Sequence, residues 1–299
     1  MVTIVVPVMA ANWGEGSLAR GYQVAMGVMA IVATALFLFC FFTTTERLQH
    51  EVEKKPVALQ ARLLFRNDQW LVLCGVCVIG TIGYVIRGAV AAYYAKYYLG
   101  GDAVVLSRFL ATGVVAAILA MVASTWITKR YCKIQMFRWT QLAVGVISVV
   151  LFFAVKPGDI ALAFGLYFLL SFVVDLHAPV FWSAIAEAID YGENKLGERV
   201  SGLAWGGISF CQKVGMGIGG AIVGWLLTYY DYVPDQVQSQ FTLTGIALML
   251  SVIPGFFHFI MGLLMFRYRI TDPFYREMMS GWRGRKAPTV NHVIEEPLG

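Results

Sequence analysis

Seven stretches of this chain carry almost nothing but apolar side chains, near residues 21–43, 69–98, 104–127, 139–155, 159–189, 201–228 and 242–266. A helix of roughly 20 mostly apolar residues crosses the hydrocarbon core of a bilayer, and these runs fit that length. Residues 1–12 are apolar but too short to span. They read as the end of a helix that begins elsewhere. The pattern predicts an all-α polytopic membrane protein.

The polar stretches between the runs alternate in charge. Arg47, Lys54, Lys55, Arg62 and Arg66 crowd the first long connection, Lys129, Arg130, Lys133 and Arg138 a second, and Lys195 and Arg199 a third. Arg267, Arg269, Arg276, Arg283, Arg285 and Lys286 follow the last run. The intervening connections (GGDAV, KPGD, YYDYVPDQVQSQ) hold almost no lysine or arginine. By the positive-inside rule the basic connections face the cytoplasm, and six helices after residue 68 then alternate without exception. Trp70, Trp126, Trp139 and Trp225 fall at helix ends, where an indole suits the headgroup layer.

Composition agrees: 59% of residues are hydrophobic and 14% charged, with a mean hydropathy of +0.68. A soluble chain of this length must cover itself with polar side chains. The net charge of +5 sits in connections between apolar runs, which suits a membrane surface and excludes nucleic acid as the partner. Five cysteines are scattered. Cys74 and Cys77 form a CxxC inside an apolar run without a second pair or a histidine nearby, so they read as packing thiols and imply no metal. No HExxH, GxSxG or DxxD cluster occurs, so neither catalytic residues nor a cofactor is implied. The N-terminal stretch lacks the basic n-region of a signal peptide.

Ionisable groups inside a spanning helix cost several kcal/mol unless paired or hydrated, so each marks a candidate site. Arg87, Asp175 and Lys213 are such groups, and His177 lies two residues from Asp175. Lys213 falls roughly 18 Å from the cytoplasmic end of its helix and Asp175 roughly 22 Å from the same face at 1.5 Å per residue, depths that allow an Asp175–Lys213 pair. Arg87 falls roughly 25 Å beyond Trp70, nearer the outer face. Gly215 with Gly219, and Gly220 with Gly224, are spaced for close helix approach. Pro254-Gly255 should kink the last helix.

The segment PVFWSAIAEAIDYGENKLGERVSGLAWGGISFCQKVGMGIGGAIVG resembles the helix 10, loop, helix 11 region of the glycoside–pentoside–hexuronide:cation symporters. That branch of the major facilitator superfamily includes the melibiose and glucuronide permeases. The matching positions are Pro179, Trp182, Glu187, Asp190, Tyr191, Gly192, Glu193, Lys195, Gly197, Arg199 and Lys213. IRGAVAAYYAKYYLG resembles the family's helix 7. Glu187 replaces the aspartate most members carry, and Asp175 and His177 lie outside the pattern. The resemblance implies a major facilitator-like six-helix C-terminal bundle over 69–270, preceded by a remnant of the N-terminal half (1–45) and a cytoplasmic central loop (46–68). A cytoplasmic tail (271–299) follows, expected to be disordered from residue 280.

The family has twelve helices, with cation-binding acidic residues mainly on early helices that this chain lacks. The expected partners are therefore a sugar or glycoside, Na⁺ or H⁺, the bilayer, and missing N-terminal helices or a complementary polypeptide. The implied setting is a bacterial inner membrane, with the chain passing through it many times. The implied activity is symport by alternating access, with two halves rocking about a central site. Lys213, Asp175, Arg87, Trp182, Trp205 and His177 are the candidates for the substrate path. Glu187, Asp190, Tyr191, Glu193, Lys195 and Arg199 would form a cytoplasmic gate, their loop pairing with the other half. The alternative is a transport-inactive truncated protein acting as an assembly or regulatory partner.

Overall fold

The computed structural model describes residues 6, 9, 10, 12–14, 17–45 and 56–286. Among these, helices account for the regular structure, and seven segments are long and apolar enough to cross a membrane. The chain divides into two compact units, Met1–Lys55 and Pro56–Gly299.

In the first unit, α1 (Leu18–Thr43) starts where the Ser17 side chain accepts a hydrogen bond from the Arg20 amide. Its apolar side chains from Ile31 to Phe42 are largely exposed, as expected of a helix that meets lipid.

The second unit begins with α2 (Val57–Phe65), a helix inside the stretch read from sequence as a loop. The basic residues at 46–55 lie outside the described residues. Then α3 (Asp68–Tyr93) runs on as a single π-helical turn, Tyr94–Tyr98, and is followed by α4 (Ala103–Ile127) and α5 (Lys133–Ala154). The chain continues through α6 (Ile160–Asp175), α7 (Ala178–Leu196), α8 (Ser201–Tyr229), α9 (Gln240–Leu250), α10 (Val252–Leu264) and α11 (Asp272–Lys286). Short polar side chains start several of these helices by accepting otherwise unpaired first-turn amides: Asn67 for α3, Asp102 for α4, Asp159 for α6 and Ser239 for α9. At the C-terminus of α7, Gly197 takes φ +79°, where any other residue would be strained.

Two spans are broken, and proline sets both positions. A proline lacks an amide hydrogen and crowds the carbonyl four residues back. Pro179 therefore ends α6 at Asp175, and Pro254 ends α9 at Leu250. The breaks leave Asp175 and His177 on one interrupted span and His258 just past the other.

Helix α3 is the centre of the bundle, packed on α8 and α10, while α5 packs on α10 and α4 on α6. Small residues set the closest approach. A Cβ on Gly215 would lie 2.8 Å from the Val78 carbonyl, and one on Gly219 3.0 Å from the Val85 Cβ. Gly220 and Gly224 face open space instead, so only the first glycine pair packs helices.

Trp126, Trp139 and Trp225 are exposed, as an interfacial belt requires. Trp70 is not. It is buried and donates its indole N–H to the Ala204 carbonyl at 3.2 Å, pinning α3 to α8. The tail also departs from expectation, because residues 272–286 are helical; residues 287–299 lie outside the described residues.

Candidate functional site: an open helix face, a polar cavity and a basic-end network

Helix α8 has two unlike faces. Ala204, Ile208, Gly215, Gly219 and Val223 are buried against the bundle. Trp205, Ser209, Lys213, Gly217, Gly220 and Gly224 recur every three or four residues on an exposed face. Lys213 thus stands at mid-helix, open, among small and aromatic neighbours. Trp182 of α7 and Trp205 of α8, both partly exposed, stack with ring centroids 6.0 Å apart and 14° between planes.

The pairing of Asp175 with Lys213 weighed from sequence does not form: neither side chain has an ion-pair partner among the described residues. Depth placed them together, but Lys213 points out of the bundle and Asp175 into it. Asp175 of α6 lines a half-open cavity of about 350 Å³, together with Thr81 of α3, His177 just before α7, Trp182 of α7, Gln212 of α8 and His258 of α10. Arg87 is buried behind this region and has an unpartnered Nη1. The substrate-path candidates therefore separate into an open group (Lys213, Trp182, Trp205), a half-buried pair lining the cavity (Asp175, His177) and the buried Arg87. Trp182 bridges the first two, since it also lines the cavity.

Sequence reasoning missed His258 and Gln141. The His258 Nδ1 lies 3.0 Å from the Gln141 Oε1, and the Gln141 amide donates to the Val174 carbonyl at 3.2 Å. His177 Nδ1 donates to the same carbonyl, and the two imidazole centroids are 6.5 Å apart. The available signal was a histidine four residues past a mid-span proline, a place where broken backbone and polar side chains gather.

At the basic end, the six gate candidates converge, but within this half. Asp190, Tyr191, Glu193 and Lys195 belong to α7 rather than to a loop, because the helix runs to Leu196. The connection itself is Gly197–Val200. Arg199 donates to Asp190 at 2.7 Å and to Glu193 at 2.8 Å. Asp68 at the start of α3 accepts from Lys195 at 2.6 Å and from Tyr191 at 3.2 Å. Glu187 is buried and ion-paired to Lys133 of α5, which also reaches Asp272 of α11 at 3.4 Å. Tyr275 of α11 donates to Asp190 at 2.6 Å. At the opposite end Lys96 pairs with Asp235 at 2.7 Å.

The described residues contain no group of histidine, cysteine and carboxylate side chains that could hold a metal ion. Cys77 contacts the Ile208 carbonyl at 3.6 Å, a helix-packing role.

Escherichia coli (strain K12) YagG, provisionally named a glycoside/cation symporter, is 33% identical over 262 residues, covering 87% of this chain and 56% of that protein. The isoprimeverose transporter of Lactiplantibacillus pentosus is 31% identical over 280 residues, covering 91% of this chain and 57% of that protein. The chain therefore spans about half the length of the curated relatives it matches. The crystal structure of the major facilitator superfamily transporter FucP, in an outward conformation, aligns with a TM-score of 0.52 at 20% identity. That alignment covers 84% of this chain and 57% of FucP, and it supports the fold. The described MFS/sugar transport protein family matches residues 1–272, and the chain belongs to that family.

Proposed function

We propose that this chain supplies the C-terminal half of a secondary transporter that couples movement of a sugar or glycoside to Na⁺ or H⁺ by alternating access. The observation that carries the reading is the exposed face of α8. An ammonium at mid-membrane is tolerable where it meets water or a carboxylate, and the described residues provide Lys213 with no such partner. A second half seated against this face would place Lys213 and the stacked indoles at the interface, where major facilitator halves enclose their substrate. Lys213 then donates to sugar hydroxyls or to acidic groups of the other half, and Trp182 and Trp205 offer apolar ring faces. The remaining helices come from an N-terminal segment or a complementary polypeptide, which also carries the coupling carboxylates.

The gate works as a plate in this reading. Asp190, Glu193, Lys195 and Arg199 are tied to one another and to α3, so they present one preset charged surface. Contacts of that surface with the other half exist in one state only, and such differential contacts bias the equilibrium between states.

Reconstitution tests the proposal. Residues 1–299 joined to the remaining sequence of a symporter relative should accumulate labelled sugar in vesicles under an imposed Na⁺ or proton gradient. Lys213→Ala in that carrier should lower accumulation at least tenfold with protein level maintained. Gradient-driven accumulation by the 299-residue chain alone contradicts the reading.

A further inference from the structure

The seam between α5 and α10 carries an open groove of about 290 Å³. It is apart from the open face of α8, since α8 packs on α3 while α10 bridges α3 and α5. We propose that the groove holds one acyl chain of an anionic phospholipid of the cytoplasmic leaflet, with the headgroup phosphate at Arg138 and Arg267, an inference that does not depend on the sugar-carrier reading above.

The side chains of the lining are wholly apolar. Val146 and Val149 of α5 and Phe256 and Phe259 of α10 are exposed around it. Gly145 makes room for the Phe259 ring, because a Cβ there would lie 2.9 Å from it. An apolar hollow on the outside of two spanning segments meets hydrocarbon rather than water. The lining covers one turn of α5 and two of α10, roughly 10 Å at 1.5 Å per residue. That is too short to seat a helix of a second copy, and it suits the end of a flexible chain.

Depth assigns the leaflet. Val149 lies ten residues past Trp139, and Phe259 and Phe256 lie eight and eleven residues before Arg267. Those separations are roughly 15, 12 and 16 Å. One leaflet contributes about 15 Å of hydrocarbon, half of a core about 30 Å thick. A chain anchored at the basic end therefore reaches the groove with its terminal half.

The basic end of the same seam supplies the anchor. Exposed Trp139 and Phe266 meet edge to face, with ring centroids 6.3 Å apart. Arg138 lies over Phe266 at 5.0 Å and donates through Nε and Nη2 to the Met265 and Tyr268 carbonyls. A guanidinium carries five N–H donors, so Arg138 keeps donors in reserve. Arg267, exposed and between those two carbonyls in the chain, has no ion-pair partner among the described residues. The carboxylates of this end are engaged elsewhere: Asp190 and Glu193 with Arg199, Glu187 and Asp272 with Lys133. Two guanidiniums beside an exposed indole suit a phosphate. A zwitterionic headgroup would bring its own ammonium against them, whereas an anionic one brings none.

The experiment is native mass spectrometry of the delipidated 299-residue chain in detergent. The probes are phosphatidylglycerol and phosphatidylcholine with identical palmitoyl and oleoyl chains, and dihexanoyl phosphatidylglycerol, whose chains end short of the groove. One long-chain phosphatidylglycerol should bind at least fivefold more tightly than phosphatidylcholine and at least tenfold more tightly than the short-chain lipid. Arg267→Gln should shrink the headgroup preference severalfold. Val149→Trp, which fills the groove, should weaken both long-chain lipids severalfold and leave the short-chain lipid unchanged. Both positions are exposed, and where Val149→Trp fails to fold the chain-length comparison on the parent protein carries the test. Equal binding of the two headgroups, short-chain binding as tight as long-chain binding, or long-chain binding that Val149→Trp leaves unaltered overturns the proposal. A dimer that dissociates in Val149→Trp also overturns it, because the groove is then an interface between copies.

Discussion

At the basic end of the bundle, acidic and basic side chains of α3, α5, α7 and α11 interlock through Asp68–Lys195, Lys133–Glu187, Lys133–Asp272 and the Arg199 pairs. At the other end one ion pair among the described residues, Lys96–Asp235, joins α3 to the loop before α9. Its neighbours are tyrosines: Tyr97 and Tyr232 share a hydrogen bond at 3.1 Å, and Tyr93 and Tyr232 meet edge to face. Burial matters more than number here. The Lys133 and Glu187 side chains are 16% and 9% exposed, whereas Lys96 and Asp235 are 48% and 83% exposed. A buried pair costs a great deal to break because one unpaired charge remains; an exposed pair adds little. The two ends therefore differ in kind. The basic end is a cross-braced plate, and the far end is held by aromatic packing and a solvated tie.

The strongest way to break this comparison is Glu187→Ala. It strands the Lys133 ammonium in a partly buried site and should cost about 3–5 kcal/mol, read as a lowered unfolding midpoint in detergent. Replacing both partners, Lys133→Met with Glu187→Met, should recover most of that loss. A single variant as stable as the parent contradicts the bracing.

A smaller effect is expected from Tyr275→Phe. It removes one hydrogen bond to the Asp190 carboxylate, of a type worth about 1.5–3 kcal/mol, and it loosens α11 from α7. Faster proteolysis after residue 272 would report it.

The smallest effect belongs to the far end. The hydrogen bond and charge of Lys96 hold the Asp235 carboxyl below the usual carboxylate range. A depressed carboxylate contributes stability that is present above its unfolded pKa and lost as pH falls through the lower folded value. Between pH 5 and 8 the tie is therefore constant, and Lys96→Ala should leave thermal stability there unchanged. A clear drop in that window contradicts the view that this tie is weak.

Much of this architecture was legible before any coordinates. Apolar run length gave the spans, and the alternation of basic connections grouped the ends that the ion pairs bring together. Pro254 marked the break in the last span, because the missing amide acts four residues back; the break before Pro179 went unread inside the apolar run 159–189. Pairing and direction were not legible. Depth alone matched Asp175 to Lys213, yet helical phase turns one inward and the other outward. Trp70 carried the composition of a belt residue, and only the Ala204 carbonyl revealed it as a pin between helices. His258 and Gln141 escaped notice because their partners lie on other helices, at sequence separations no local pattern reports. The gate candidates were singled out by resemblance, and the bonds they make among the described residues run inside this half.

The most direct test of the central claim is thiol accessibility at position 213. In a cysteine-free background of the complete carrier, Lys213→Cys should react with a charged, membrane-impermeant thiol reagent, and bound sugar should slow that reaction severalfold. A thiol at the lipid-facing position of Phe153, which is 76% exposed, should stay unreactive. If Lys213→Cys is as inert as Phe153→Cys, or if sugar leaves its rate unchanged, the open face of α8 is not the substrate path.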